Sequence, residues 1–127
     1  MKWHKENPDR LKSEVALIRG FYPQTRIIIK KGRLTAYLWV HGMKARYQLK
    51  IIYPDEFPYD EPLAYVIEPK INDAPHTWWC DGHLSIHGDA EPPCVSGKII
   101  MDWAVIWIRV YENWLDTGKW PETIRGQ

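Results

Sequence analysis

Asp81-Gly82-His83-Leu84-Ser85-Ile86-His87 is the stretch on which the reading of this chain turns. It sets a hydroxyl between two aliphatic residues, with a glycine before it and a histidine on either side. Upstream lie Tyr53-Pro54, Phe57-Pro58-Tyr59, Pro62, Tyr65 and Pro75-His76. Downstream lie Trp103-Ala104-Val105-Ile106-Trp107, Tyr111-Glu112-Asn113-Trp114-Leu115 and Thr117-Gly118-Lys119-Trp120-Pro121. From Glu68 to Gly97 no helical or strand periodicity is visible. An irregular stretch of about thirty residues in a small domain is usually functional or disordered. Its aromatic and apolar content argues against disorder.

Regular elements flank this stretch. Asn7-Pro8-Asp9 is a helix start: Asn7 caps the first amides, Pro8 suits the first helical position, and Asp9 complements the dipole. Leu11, Val15 and Ile18 follow at helical spacing, and Gly20 is expected to close a helix over about 8–19. Arg26 to Lys30 reads as a strand, and Lys31-Gly32 as a tight turn. Leu34, Ala36, Leu38 and Val40 alternate with Thr35, Tyr37 and Trp39. After a turn at His41-Gly42-Met43-Lys44, Tyr47, Leu49, Ile51 and Tyr53 alternate with Gln48, Lys50 and Ile52. These runs predict an antiparallel meander. Pro54, Pro58 and Pro62 interrupt it, and Leu63 to Ile67 reads as a fourth strand.

A helix is predicted from about Ile99 to Thr117. Trp103, Trp107, Tyr111 and Trp114 share one stripe, with Ile100, Ala104, Ile108 and Leu115 beside it. Trp103 and Trp107 are both expected to be largely buried. Gly118 is placed to end the helix. The fold class that follows is α+β: an N-terminal helix, a four-stranded antiparallel meander, a long loop and a C-terminal helix.

Composition sets the bounds. The 127 residues suit one domain over 1–127, large enough for a core without staples. Apolar residues make up 45% and charged residues 26%, as in ordinary globular chains. Six of the eight tryptophans fall between Trp78 and Trp120, so the C-terminal half is expected to pack around large rings. With 17 basic and 16 acidic residues, the net charge of +1 gives no reason to expect nucleic acid or an anionic membrane. Met1-Lys2-Trp3-His4-Lys5-Glu6 is polar, and no apolar run approaches a membrane span. Two cysteines, Cys80 and Cys94, make no disulfide framework. A cytoplasmic protein with reduced thiols is expected.

The ordered set Tyr53-Pro54, Pro62, Pro75-His76, Asp81-Gly82, Leu84-Ser85-Ile86 and the Trp-rich helix leading to Gly118-Lys119-Trp120-Pro121 resembles the ubiquitin-conjugating enzymes. It is most similar to their compact bacterial relatives, over about residues 8 to 121. In that family the central segment carries a catalytic cysteine. The resemblance puts Ser85 at the nucleophile position. A serine hydroxyl is a far weaker nucleophile than a thiolate and needs a neighbouring base. Two readings stay open: a natural serine in a non-catalytic relative, or a serine introduced for cysteine to turn a labile thioester into a durable oxyester.

His76 matches the family's largely structural histidine. The family's following Pro-Asn is absent here, where Thr77-Trp78 stand, so its oxyanion asparagine does not carry over. Asp81, His83 and His87 are the polar candidates for that role, against the plainer reading of solvated loop side chains. Cys94 is an alternative nucleophile or resolving thiol. Cys80, beside Trp78 and Trp79, reads as a small buried side chain.

The resemblance implies a carrier that accepts a protein's C-terminus as a thioester and passes it to an amine. The implied setting is bacterial antiphage defence. The implied partners are a ubiquitin-like protein or the C-terminal tail of a cyclic-nucleotide synthase, with a separate ATP-using activating enzyme in systems that have one. A carrier of this kind needs no cofactor. His76, Cys80, His83, His87 and Cys94 have spacings a zinc site can use. The paired-ligand motifs are absent, so no metal is expected. The alternative from another class is a UBC-like module that binds or scaffolds without chemistry.

Overall fold

The computed structural model describes residues 2–71, 83–84 and 96–120. Two helices open the chain, α1 (Trp3–Glu6) and α2 (Pro8–Phe21). The α2 start is as expected: Pro8 opens the helix and the Asn7 side chain accepts from the Arg10 amide at 3.1 Å. Its end is not. The helix runs through Gly20 and stops at Phe21, with the Tyr22 amide donating to the Ile18 carbonyl at 2.7 Å. A mid-helix glycine costs only about 1 kcal/mol. Pro23 is the stronger signal, because the residue before a proline is driven out of the helical region. Tyr22 duly sits at φ −133°, ψ 75°.

The helix α1 was not foreseen in the polar N-terminus. Its Trp3 is buried, with its ring centroid 4.7 Å from that of Phe57 and 5.3 Å from that of Tyr53. The aromatic ring, not the charge of its neighbours, decides where this segment docks.

The sheet comprises β1 (Arg26–Lys30), β2 (Arg33–His41), β3 (Arg46–Ile52) and β4 (Leu63–Glu68). All neighbours pair antiparallel in the order β1-β2-β3-β4. Lys31 and Gly32 both take positive φ, 53° and 78°, between the paired residues Lys30 and Arg33. That is the two-residue turn whose twist matches its strands. Strand alternation then sorts the faces. Leu34, Ala36, Leu38, Tyr47, Leu49, Ile51 and Ala64 are buried in the core, while Tyr37, Trp39, Lys50 and Ile52 stay partly or largely exposed.

The helix α3 (Gly97–Thr117) covers the inner face and also meets α2. Ser96 caps its start by accepting from the Ile99 amide at 3.3 Å. Gly118, at φ 71°, ends it in the left-handed conformation, and its amide donates to the Trp114 carbonyl. Ile100, Met101, Ala104, Trp107, Ile108 and Tyr111 are buried. Trp103 is only half-buried and Leu115 is 49% exposed. The buried face is therefore centred on Ala104, Trp107 and Ile108. Trp103 lies at its margin, and Leu115 falls in the last turn. Trp107 and Tyr111 stack at 5.3 Å with rings only 9° apart. After Gly118 the chain brings Trp120 to 5.4 Å from Trp107 and 6.3 Å from Trp114.

Candidate active-site segment

Leu84 is the fixed point of the motif. Its amide donates to the Ala64 carbonyl on β4 at 2.8 Å, and its side chain is 3% exposed in the core. Leu84 is thus tied to the edge of the sheet by one backbone bond and one buried side chain. Burial of such a side chain stabilises the attachment by roughly 1.5 to 3 kcal/mol. His83, just before it, is half-buried and stands edge-on to the Tyr65 ring at 6.3 Å.

Of the residues singled out from the sequence, only His83 is among those described. Ser85, His76, Asp81, His87, Cys94 and Cys80 lie outside them. Among the described residues no group of three or more His, Cys, Asp or Glu could hold a metal ion.

The downstream end of the segment is held by a carboxylate that sequence reading passed over. Glu14, on α2, is buried. Its Oε1 accepts from the Tyr53 hydroxyl at 2.6 Å and from the Gly97 amide at 3.0 Å. The Gly97 amide belongs to the first turn of α3, where helical amides have no intrahelical partner and favour a negative charge. One oxygen therefore joins α2, the residue after β3 and the start of α3. Burial, with the Glu14 charge and its hydrogen bond adding to it, drives the Tyr53 phenol far above its ordinary range. Gly97 has no room for a side chain: a Cβ there would come within 1.9 Å of the Tyr53 hydroxyl.

A second buried carboxylate, Glu112 on α3, holds the β2–β3 turn. It accepts from the amides of Met43 and Lys44, each at 2.7 Å, and from the Tyr47 hydroxyl at 2.9 Å. Burial alone pushes its carboxyl up. The Lys44 and Met43 amides and the Tyr47 hydroxyl outweigh that and hold it below the ordinary value. Both carboxylates left a trace in the sequence. Glu14 falls between Leu11 and Ile18 on the apolar side of α2, and Glu112 lies four residues after Ile108. A charge in mid-stripe is a sign of a buried, satisfied anion.

An α+β domain of this element order, with a leucine anchor beside the fourth strand, is consistent with the compact ubiquitin-conjugating type. Residues 14–126 match the model of the type II CBASS E2 proteins, and the chain belongs to that family. It is an E2-like protein of bacterial antiphage defence. No curated protein and no solved structure matches it. No helix among the described residues is long and apolar enough to cross a membrane.

Proposed function

We propose that the chain is a carrier of acyl groups between proteins, with residue 85 as the point of attachment. The observation that supports this most is the Leu84 anchor in a chain of the CBASS E2 family. On this reading the leucine, buried one residue before the nucleophile position, is that position's anchor on the sheet. A carrier needs this, because its nucleophile must meet two macromolecules in turn in a repeatable geometry.

The chemistry balances without a cofactor. With cysteine at 85, its thiolate attacks the activated C-terminus of the carried protein and expels the activating enzyme's thiol, leaving a thioester. An amine then attacks the carbonyl, an amide forms and the cysteine sulfur leaves. With Ser85 the same exchange gives an oxyester, formed slowly and resistant to thiols. The carried C-terminus is that of a ubiquitin-like protein or a cyclic-nucleotide synthase, with ATP consumed on a separate activating enzyme. Of the candidates Asp81, His83 and His87, a histidine is the group we assign to polarise the carbonyl, since an ionised aspartate only accepts hydrogen bonds, and His76 braces the segment.

The serine itself favours a second reading, a UBC-like module that binds the same partners without chemistry. One experiment separates the two. Ser85→Cys, incubated with its activating partner and ATP, is expected to give an adduct that dithiothreitol cleaves. The serine protein is expected to give none, or a slow thiol-resistant one, and Ser85→Ala none. A Ser85→Cys protein that stays inert, with Ser85→Ala fully functional in cells, would overturn the carrier. A thiol-sensitive adduct on the serine chain that vanishes with Cys94→Ala would move the nucleophile to Cys94.

A further inference from the structure

The sheet's outer face carries a hollow of about 320 Å³ ringed by Lys2, Lys30, Lys31, Arg33 and Lys50. These five cations have little to offset them. Lys2 Nζ and Arg33 Nε share one carboxylate oxygen of Asp55, at 2.9 and 3.7 Å. Among the described residues, Lys30 Nζ meets the Tyr37 hydroxyl, at 3.1 Å, and the face of that ring. Lys50 Nζ lies 5.1 Å from the centre of the Tyr65 ring. Among the described residues no carboxylate forms an ion pair with Lys30, Lys31 or Lys50. The whole chain is only +1. This crowding is therefore local, and an anion in the hollow would relieve it.

A second hollow of about 340 Å³ adjoins the first and shares Arg33 and Ile52 with it. Its character differs. Pro54, Leu63 and Tyr65 give it apolar surface, while Asp60 and Glu61 add hydrogen-bond acceptors. Together the two reach the size of ordinary small-molecule sites, roughly 300 to 1,000 Å³. One end suits clustered negative charge, the other a flat ring bearing N–H donors.

We propose that this face binds a purine nucleoside polyphosphate. The phosphates lie among Lys30, Lys31 and Lys50. The base lies against Ile52, Leu63 and Tyr65, with its amino edge toward Asp60 or Glu61. A polyphosphate is favoured over a single peptide carboxylate because it sets several charged oxygens close together, matching three lysine point charges that have no carboxylate partner among the described residues. The guanidinium of the hollow, Arg33, already leans on Asp55 at 3.7 Å. A paired hollow also fits a two-part small molecule better than an extended acidic tail. The site does not depend on the carrier reading, since it needs neither residue 85 nor a partner protein.

Amide shifts in two-dimensional NMR test this, with ATP, GTP, adenosine, tripolyphosphate and a hexaglutamate peptide as separate titrants. At least one nucleotide is expected to shift Lys30, Thr35, Ile52 and Tyr65, and to bind at least about tenfold more tightly than tripolyphosphate, adenosine or the peptide. Lys30→Glu combined with Lys50→Glu should weaken the nucleotide by at least about tenfold, with Lys12→Glu on the exposed side of α2 as the neutral control. Both variants change only surface lysines, and circular dichroism checks that they keep the fold. No shift at millimolar nucleotide overturns the proposal. So does equal binding of tripolyphosphate or the peptide, or indifference to the double charge reversal.

Discussion

Glu14 and Tyr53 meet across the core at 2.6 Å, a carboxylate from the first long helix accepting from a phenol just beyond the third strand. The Gly97 amide donates to the same oxygen at 3.0 Å, so this pair also fixes where the C-terminal helix begins. Removing the phenol leaves the carboxylate with one donor fewer in a buried place. Tyr53→Phe is expected to cost about 2 kcal/mol, the range for hydrogen bonds to charged groups. Gly97→Ala should cost at least about 2 kcal/mol by overpacking against the Tyr53 ring. Urea midpoints check both. A neutral Gly97→Ala would refute the close approach.

Glu112 gives the fold a dependence on pH. Its folded carboxyl is held below the ordinary 4.5 by the Lys44, Met43 and Tyr47 donors, which outweigh the upward push of burial. In the window below 4.5 the unfolded chain binds a proton that the native chain does not, so stability falls as pH falls there. Glu112→Gln is expected to be less stable at neutral pH and to lose less between neutrality and acid. Parallel pH profiles for the two proteins would exclude Glu112 as the source.

Trp107 and Trp103 should separate sharply. Trp107 is fully buried and stacked on Tyr111, so Trp107→Ala is expected to cost about 3 to 5 kcal/mol. Trp103 is half-buried at the margin of the stripe, and Trp103→Ala is expected to cost less than half as much. The Trp107 indole N–H has no hydrogen-bond partner among the described residues. Trp107→Phe sheds that buried donor and should be the milder change. Thermal melts decide the order, and equal losses at 103 and 107 would refute it.

Leu84 links stability to the proposed chemistry. Leu84→Ala removes a buried side chain at the sheet edge and should cost about 2 to 5 kcal/mol. On the carrier proposal, in a Ser85→Cys background it should also slow adduct formation by at least about tenfold, since residue 85 loses the anchored neighbour that the proposal relies on. Leu84→Met, which keeps the volume, should restore most of both. Unchanged adduct kinetics in a destabilised Leu84→Ala protein would show that the anchor serves the fold alone.

By itself the sequence determined the order of elements from α2 onward and the inner face of the sheet. Both rest on local rules: period-2 alternation from Leu34 to Tyr53, the Lys31-Gly32 turn, the Asn7-Pro8 start and the Gly118 stop. Each acts within a few residues, so each is written in the chain. The resemblance carried by the ordered set from Tyr53-Pro54 to Trp120-Pro121 pointed to the compact bacterial relatives of the ubiquitin-conjugating enzymes, and the match over residues 14–126 puts the chain among the type II CBASS E2 proteins.

What only the tertiary structure decided depends on residues far apart in the chain. Trp3 finds Phe57 and Tyr53, and Glu14 finds Tyr53 and Gly97. Glu112 reaches back across the sheet to Met43 and Lys44. Trp103 sits at the margin of its stripe because the sheet beneath the helix, not the helical period, sets how wide the buried face is. The cationic hollow is the clearest case. Lys2, the Lys30–Arg33 turn and Lys50 are scattered along a chain of almost no net charge. Only the folding of the N-terminus and three strands onto one face gathers them.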